Sequence, residues 1–123
     1  MPESPWGTWQ RLWVDDIAEL RVLEIQKGGY SSPHCHRTKR NVFCVAKGRL
    51  NLRLWVGEEK VMVLPCGPKS QPQVVASEVM HQFEALEDSV VYELSIADAG
   101  IGMDPDEIER HGESGKKPWW GEF

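Results

Sequence analysis

The chain has 123 residues, 41% of them hydrophobic and 27% charged, which suits one domain with a single core and excludes a wholly disordered polypeptide. A net charge of −5 works against general nucleic-acid binding, which depends on neutralising phosphates with Lys and Arg. No apolar run approaches the roughly 20 residues that span a bilayer. The opening Met1-Pro2-Glu3-Ser4-Pro5-Trp6 lacks the basic and apolar regions of a signal peptide, so the expectation is cytoplasmic, with neither nucleic acid nor membrane as partner. Three cysteines without CxxC spacing argue against a disulfide framework or a Cys-rich zinc site. Of these, Cys44 reads as an apolar filler in a strand and Cys66 as a loop residue.

Strand signals recur at short intervals between Gly, Pro and Ser. The pattern predicts strands over 9–14 and 21–26, the latter with Leu23 and Ile25 alternating against Val22, Glu24 and Gln26. Gly28-Gly29 breaks the run. Strands follow over 42–46, 50–55 and 60–64, and Pro65-Cys66-Gly67-Pro68 ends that series. Three more are expected over 74–76, 81–85 and 90–96. Eight short strands with almost no helical period point to an all-β antiparallel sandwich or barrel.

The tail departs from this pattern. Asp104-Pro105-Asp106-Glu107 reads as a helix N-cap, a proline in the first turn and a carboxylate three residues after the cap, with Gly112 as the stop. A short C-terminal helix is therefore expected, with His111 on its surface. One domain spans 1–123, its barrel about 9–97 and its helix and tail 98–123. The closing Lys116-Lys117-Pro118-Trp119-Trp120 should pack on its own barrel or on a second subunit, because exposed tryptophans are costly.

The chemistry lies between Gly28 and Gly48. His34 and His36, at i and i+2 on a strand, share a face, so their imidazoles can converge on one ion inside a barrel while Cys35 points away. Neutral imidazole suits Zn, Ni, Cu and Fe. The plainer reading of the pair is two barrel histidines hydrogen-bonded to each other or to water.

Gly28, five residues, His34, one residue, His36, four residues, Asn41, six residues, Gly48 resembles the first motif of the cupin family, G-x5-H-x-H-x3-4-E-x6-G, with Asn41 in place of the glutamate. The resemblance implies a double-stranded β-helix, that is, an antiparallel jelly-roll barrel. It also implies a metal site of His34, His36 and a third histidine from the second motif, here His81, with Asn41 at the fourth position. The second motif is otherwise poorly kept: Ala76 and Glu78 replace its proline and glycine, and Ala85 its final asparagine. The implied cofactor is a divalent ion: Zn, Ni, Mn or Fe. Because a neutral amide cancels none of the ion's charge, such a site favours an anionic ligand.

Pro5-Trp6-Gly7 and the acidic stretch from Met103 to Arg110 also resemble, in layout, the cupin domain of type II mannose-6-phosphate isomerases, which are metal dependent and interconvert an aldose and a ketose phosphate. That likeness implies a small oxygen-rich anion as ligand, such as a sugar or sugar phosphate. A ferrous oxygenase and a non-catalytic binding barrel are the alternatives. Candidate proton carriers are Glu93 and Tyr30. Arg37, Lys39 and Arg40 could hold a substrate anion, and Trp6, Trp9, Trp13 and Trp55 read as sugar-stacking or packing residues. Six tryptophans on so small a barrel predict a homodimer.

Overall fold

Alternation of apolar and polar residues along nearly every segment produces an all-β molecule. The computed structural model describes residues 3–57 and 60–118. The strands, in chain order, are β1 (Glu3–Ser4), β2 (Gly7–Val14), β3 (Ala18–Ile25), β4 (Gly29–Tyr30), β5 (His34–Cys35), β6 (Lys39–Lys47), β7 (Leu50–Trp55), β8 (Val61–Cys66), β9 (Gln73–Val75), β10 (His81–Ala85), β11 (Ser89–Ala97), β12 (Glu109–Arg110) and β13 (Gly115–Lys116). All eight expected strands form, and β7 and β10 match their expected bounds.

One antiparallel sheet runs β1-β2-β3-β11-β6-β9. In the other, β10 pairs with β7 along its whole length on one edge, and β8 continues outward from β7. Its opposite edge is shared by β4 and β5, which carry β13 and β12. The sheets close over Leu23, Ile25, Phe43, Val45, Val75 and Val91 from the first and Leu50, Leu52, Cys66, Phe83 and Ala85 from the second, with Trp6 set edge-on against Phe83 at 5.3 Å.

The inward residues change character along each strand. β3 presents Glu19 and Arg21 before Leu23 and Ile25; β6 presents Lys39 and Asn41 before Phe43 and Val45; β11 reverses the order, Val91 then Glu93 and Ser95. Antiparallel register aligns these changes, since Glu93 faces Arg21 and Phe43 while Val91 faces Leu23 and Val45. One end of the barrel is thereby a dry core and the other a polar cavity. Burying so many polar groups is tolerable only where they are paired or serve a ligand.

Three expectations need correction. Among the described residues there is no helix. Asp104 Oδ1 accepts from the Asp106 N–H at 3.0 Å and Asp104 O from the Glu107 N–H at 3.3 Å, a single turn. The chain then joins β5 as β12. A two-turn helix is marginal by itself, whereas the extended route lets the Glu107 carboxylate accept from the backbone N–H groups of Arg37 and Thr38 and from the Thr38 hydroxyl. His111 is on the surface as expected, though not on a helix. Cys44 is in β6 but faces outward and is exposed; Cys66 is buried at the end of β8, not in a loop. The tail packs on its own barrel: Lys117 N–H donates to Gly28 O at 2.9 Å, and the Lys117 ammonium pairs with Glu84. Trp119 and Trp120 lie outside the described residues. Among the described residues no helix is long and apolar enough to cross a membrane.

Candidate metal centre

β5 ends the 28–36 segment at the polar mouth, and β10 begins there, so His34 and His81 stand opposite each other in register. His36 follows immediately after β5. Ring centroids are 4.4 Å apart for His34 and His81, 5.1 Å for His34 and His36, and 5.6 Å for His36 and His81. One nitrogen from each ring lies within 4.8 Å of the other two, and all three residues are buried. Cys35, between the two histidines, points to the other face.

Each ring is fixed by its Nδ1. His34 Nδ1 lies 2.7 Å from Ser32 O, His36 Nδ1 2.8 Å from Glu107 O, and His81 Nδ1 2.9 Å from Val79 O. A carbonyl only accepts, so each Nδ1 carries the proton and each Nε2 offers a lone pair. Nε2 of His36 and of His81 is buried without a hydrogen-bond partner, an arrangement that costs energy unless something is bound there. Burial holds the imidazoles neutral: His34 and His36 are pulled down to about 4 and His81 to about 3.

Asn41 is fully buried on β6 and lines the same cavity, which has a volume of about 450 Å³. Its Nδ2 donates to Glu93 Oε2 at 2.7 Å, which fixes the amide, and its Oδ1 has no partner. Three neutral rings and an amide oxygen, three of the four donors orphaned, are a donor set that fits a divalent cation.

Around this centre the cavity is cationic. Glu19 is locked between Arg11 at 2.7 Å and Arg21 at 3.0 Å, and the Arg21 guanidinium lies 4.3 Å from the centroid of Trp9. The Lys39 ammonium donates to Asp104 O at 2.8 Å and forms no ion pair among the described residues; burial lowers its pKa against the pull of Glu107, Glu19 and Glu93. Arg110 lines the mouth, exposed and without an ion-pair partner among the described residues.

The expected basic cluster divides. Only Lys39 turns inward; Arg37 forms an outer ion pair with Glu109, and Arg40 is exposed. Glu93 faces the cavity, and burial pushes its carboxyl upward against the pull of Arg21 and the Asn41 bond. Tyr30 does not line the cavity: its hydroxyl packs against Gly115. Trp6 and Trp9 line the cavity, whereas Trp13 is 60% exposed. Sequence reasoning missed Glu19 and Arg21, although both share the inward parity of Leu23 and Ile25, and a charge on a buried parity was the available signal. It also missed Glu107 O, since a backbone contact across 71 residues leaves no trace in composition.

Glu78 occupies the position of the motif's missing glycine and keeps the backbone that glycine would favour, with φ +67°. Its N–H donates to His36 O at 2.6 Å, tying the second motif to the first.

No family model matches the sequence, and no curated protein matches it significantly. Solved structures do match. CapF of Staphylococcus aureus, a capsular polysaccharide assembling protein, superposes with a TM-score of 0.75 at 17% identity over 91% of this chain and 31% of CapF. KdgF from Halomonas sp. gives 0.63 at 22% identity over 73% of this chain and 79% of KdgF. Oxalate decarboxylase from Bacillus subtilis gives 0.63 at 13% identity over 77% of this chain and 24% of the enzyme. This chain thus spans about a third of CapF and a quarter of the decarboxylase. Together with the antiparallel topology, these likenesses establish that the chain has the cupin jelly-roll fold.

Proposed function

We propose that this protein binds a divalent metal ion through His34, His36 and His81, with Asn41 Oδ1 as a fourth donor, and acts on a small, oxygen-rich anion such as a sugar or sugar phosphate. The observation that carries the proposal is the shared tautomer: three buried rings, each with Nδ1 tied to a carbonyl, bring one nitrogen apiece within 4.8 Å of the others, and the Nε2 atoms of His36 and His81 have no partner. When bound, the ion would supply Lewis acidity to a carbonyl or hydroxyl of the ligand.

The chain's own residues set the rest. Neutral donors leave the ion's charge uncompensated, and Lys39 and Arg110 add cations that form no ion pair among the described residues, so the cavity attracts an anion. A neighbour named for oxalate and another for capsular polysaccharide assembly fit that ligand class. Among the lining carboxylates, Glu19 is held by two arginines and Asp106 is exposed. Glu93 is the one poised to take a proton, because burial raises its affinity for one. Aldose–ketose isomerisation uses such a carboxylate beside a Lewis acid, and it is the activity we propose. The three-nitrogen donor set with open positions also supports a second reading, a ferrous oxygenase.

The proposal extends to a homodimer. Across the outer face of the first sheet, Val74, Val42, Leu94, Leu20 and Trp13 stand in register on five neighbouring strands. At about 4.8 Å per strand this apolar row is roughly 20 Å wide, a surface that a second copy would cover.

Elemental analysis of protein purified without added metal tests the site. At least one equivalent of metal is expected, and His36→Ala should lose one equivalent while keeping a cooperative melt; a metal content unchanged in that variant would overturn the ligand assignment. Solvent deuterium entering a sugar phosphate would support isomerisation, and oxygen uptake with ferrous iron would replace it with the second reading.

A further inference from the structure

The ladder that presents His34 and His36 has a second face. β5 and β12 pair so that Cys35 stands opposite Glu109 while His34 stands opposite Arg110. Residues two apart share a face, so His111 follows Glu109 on the side of Cys35, and none of the three lines the cavity. A thiol, a carboxylate and an imidazole result, with ligating atoms all within 4.8 Å of one another. Cys35 Sγ donates to Glu109 Oε2 at 3.3 Å, and His111 Nε2 lies 4.0 Å from the same oxygen. The backbone holds the set together: besides the β5–β12 pairing, His111 N–H donates to Pro33 O at 2.8 Å. Cys35 is buried, Glu109 half-buried and His111 exposed, so the cluster opens to solvent on one side.

We propose that Cys35, Glu109 and His111 form a second metal site, distinct from the three-histidine centre, for a borderline-soft divalent cation such as Zn²⁺, with water as the fourth ligand. One sulfur, one nitrogen and one oxygen donor around an open position match that class, whereas Mg²⁺ and Ca²⁺ take oxygen donors and would not recruit the thiol. The cation replaces the proton that Cys35 donates to Glu109, and that proton leaves to solvent. Thiolate and carboxylate then balance the dication; Arg37 holds both carboxylate oxygens, Nη2 on Oε1 at 3.0 Å and Nε on Oε2 at 3.2 Å, so the metal takes the Oε2 lone pair that accepts from Cys35 Sγ. No donor is shared with the inner centre, so the two assignments stand or fall separately.

Titration of the full chain with Co²⁺, in a Cys44→Ser background that removes the exposed thiol, tests this. A cysteine ligand gives Co²⁺ a sulfur-to-metal charge-transfer absorption that an all-nitrogen and amide site cannot give. Binding of about two Co²⁺ per chain is expected, with the band present. His36→Ala should bind about one and keep the band, and His111→Ala should lose one equivalent together with the band. Cys35→Ser should repeat that loss; His111, being exposed, carries the test if Cys35→Ser fails to fold. Absence of the band in the parent, or a band that survives both His111→Ala and Glu109→Gln, would overturn the second site.

Discussion

Acidifying the metal-free protein should unfold it well above the pH at which exposed carboxylates titrate, and the three buried imidazoles set the size of the effect. Their unfolded value is 6.5; folded, His34 and His36 sit at about 4 and His81 at about 3. Above pH 6.5 both states hold the rings neutral, and they contribute no pH dependence. Between 6.5 and about 4 the unfolded chain takes up protons that the folded chain refuses, so stability falls as pH falls. With three rings the slope approaches about 4 kcal/mol per pH unit. Integrated, His34 and His36 account for about 3 kcal/mol each and His81 for about 5. That sum is on the order of 10 kcal/mol, comparable to the whole stability of a domain this size. Glu93 acts in the opposite sense, because a raised carboxyl favours the folded state as pH falls, and it offsets part of the loss. Urea melts in chelator, followed by tryptophan fluorescence from pH 7 to 4, read the slope. His36→Gln should reduce it by about one proton, and saturating divalent metal at pH 7 should raise the midpoint by an amount that shrinks towards pH 4. A slope of less than one proton in that window, or one that His36→Gln leaves unchanged, would refute the reasoning.

Three further outcomes follow from particular residues. Glu78→Gly should stabilise the fold by about 1 kcal/mol in chemical denaturation, because glycine accepts φ +67° freely and the N–H bond to His36 O is kept. Gly48→Ala should cost at least about 2 kcal/mol in the same assay: φ is +90°, and a Cβ would come within 2.5 Å of Asp88 O and 2.3 Å of Ser89 Oγ. Trp13→Glu should convert the proposed dimer to monomer in sedimentation velocity without changing metal content, since Trp13 lies on the outer face, remote from the cavity.

Legibility divided along the range of the physics involved. The eight longer strands could be read because alternation has a period of two and needs only a few neighbouring residues to show itself. The pairing of His34 with His36 was local in the same way, and the spacing from Gly28 to Gly48 pointed to the barrel that would bring His81 to them. Non-local competition was not legible. The signals at Asp104–Glu107 were sound for a helix start, but Glu107 gained more from the backbone of Arg37 and Thr38 than from a short helix. The direction in which Arg37, Lys39 and Arg40 part company, and the exclusion of Tyr30 from the cavity, likewise depended on partners far along the chain.

The sequence alone therefore determined the fold class and the close spacing of His34 and His36, because period and spacing are properties of the chain itself. Only the tertiary structure decided which ring nitrogens turn inward, which charges the cavity keeps, and that Cys35, Glu109 and His111 meet. Each of those depends on strand register, and register is settled when the two sheets close on a common core.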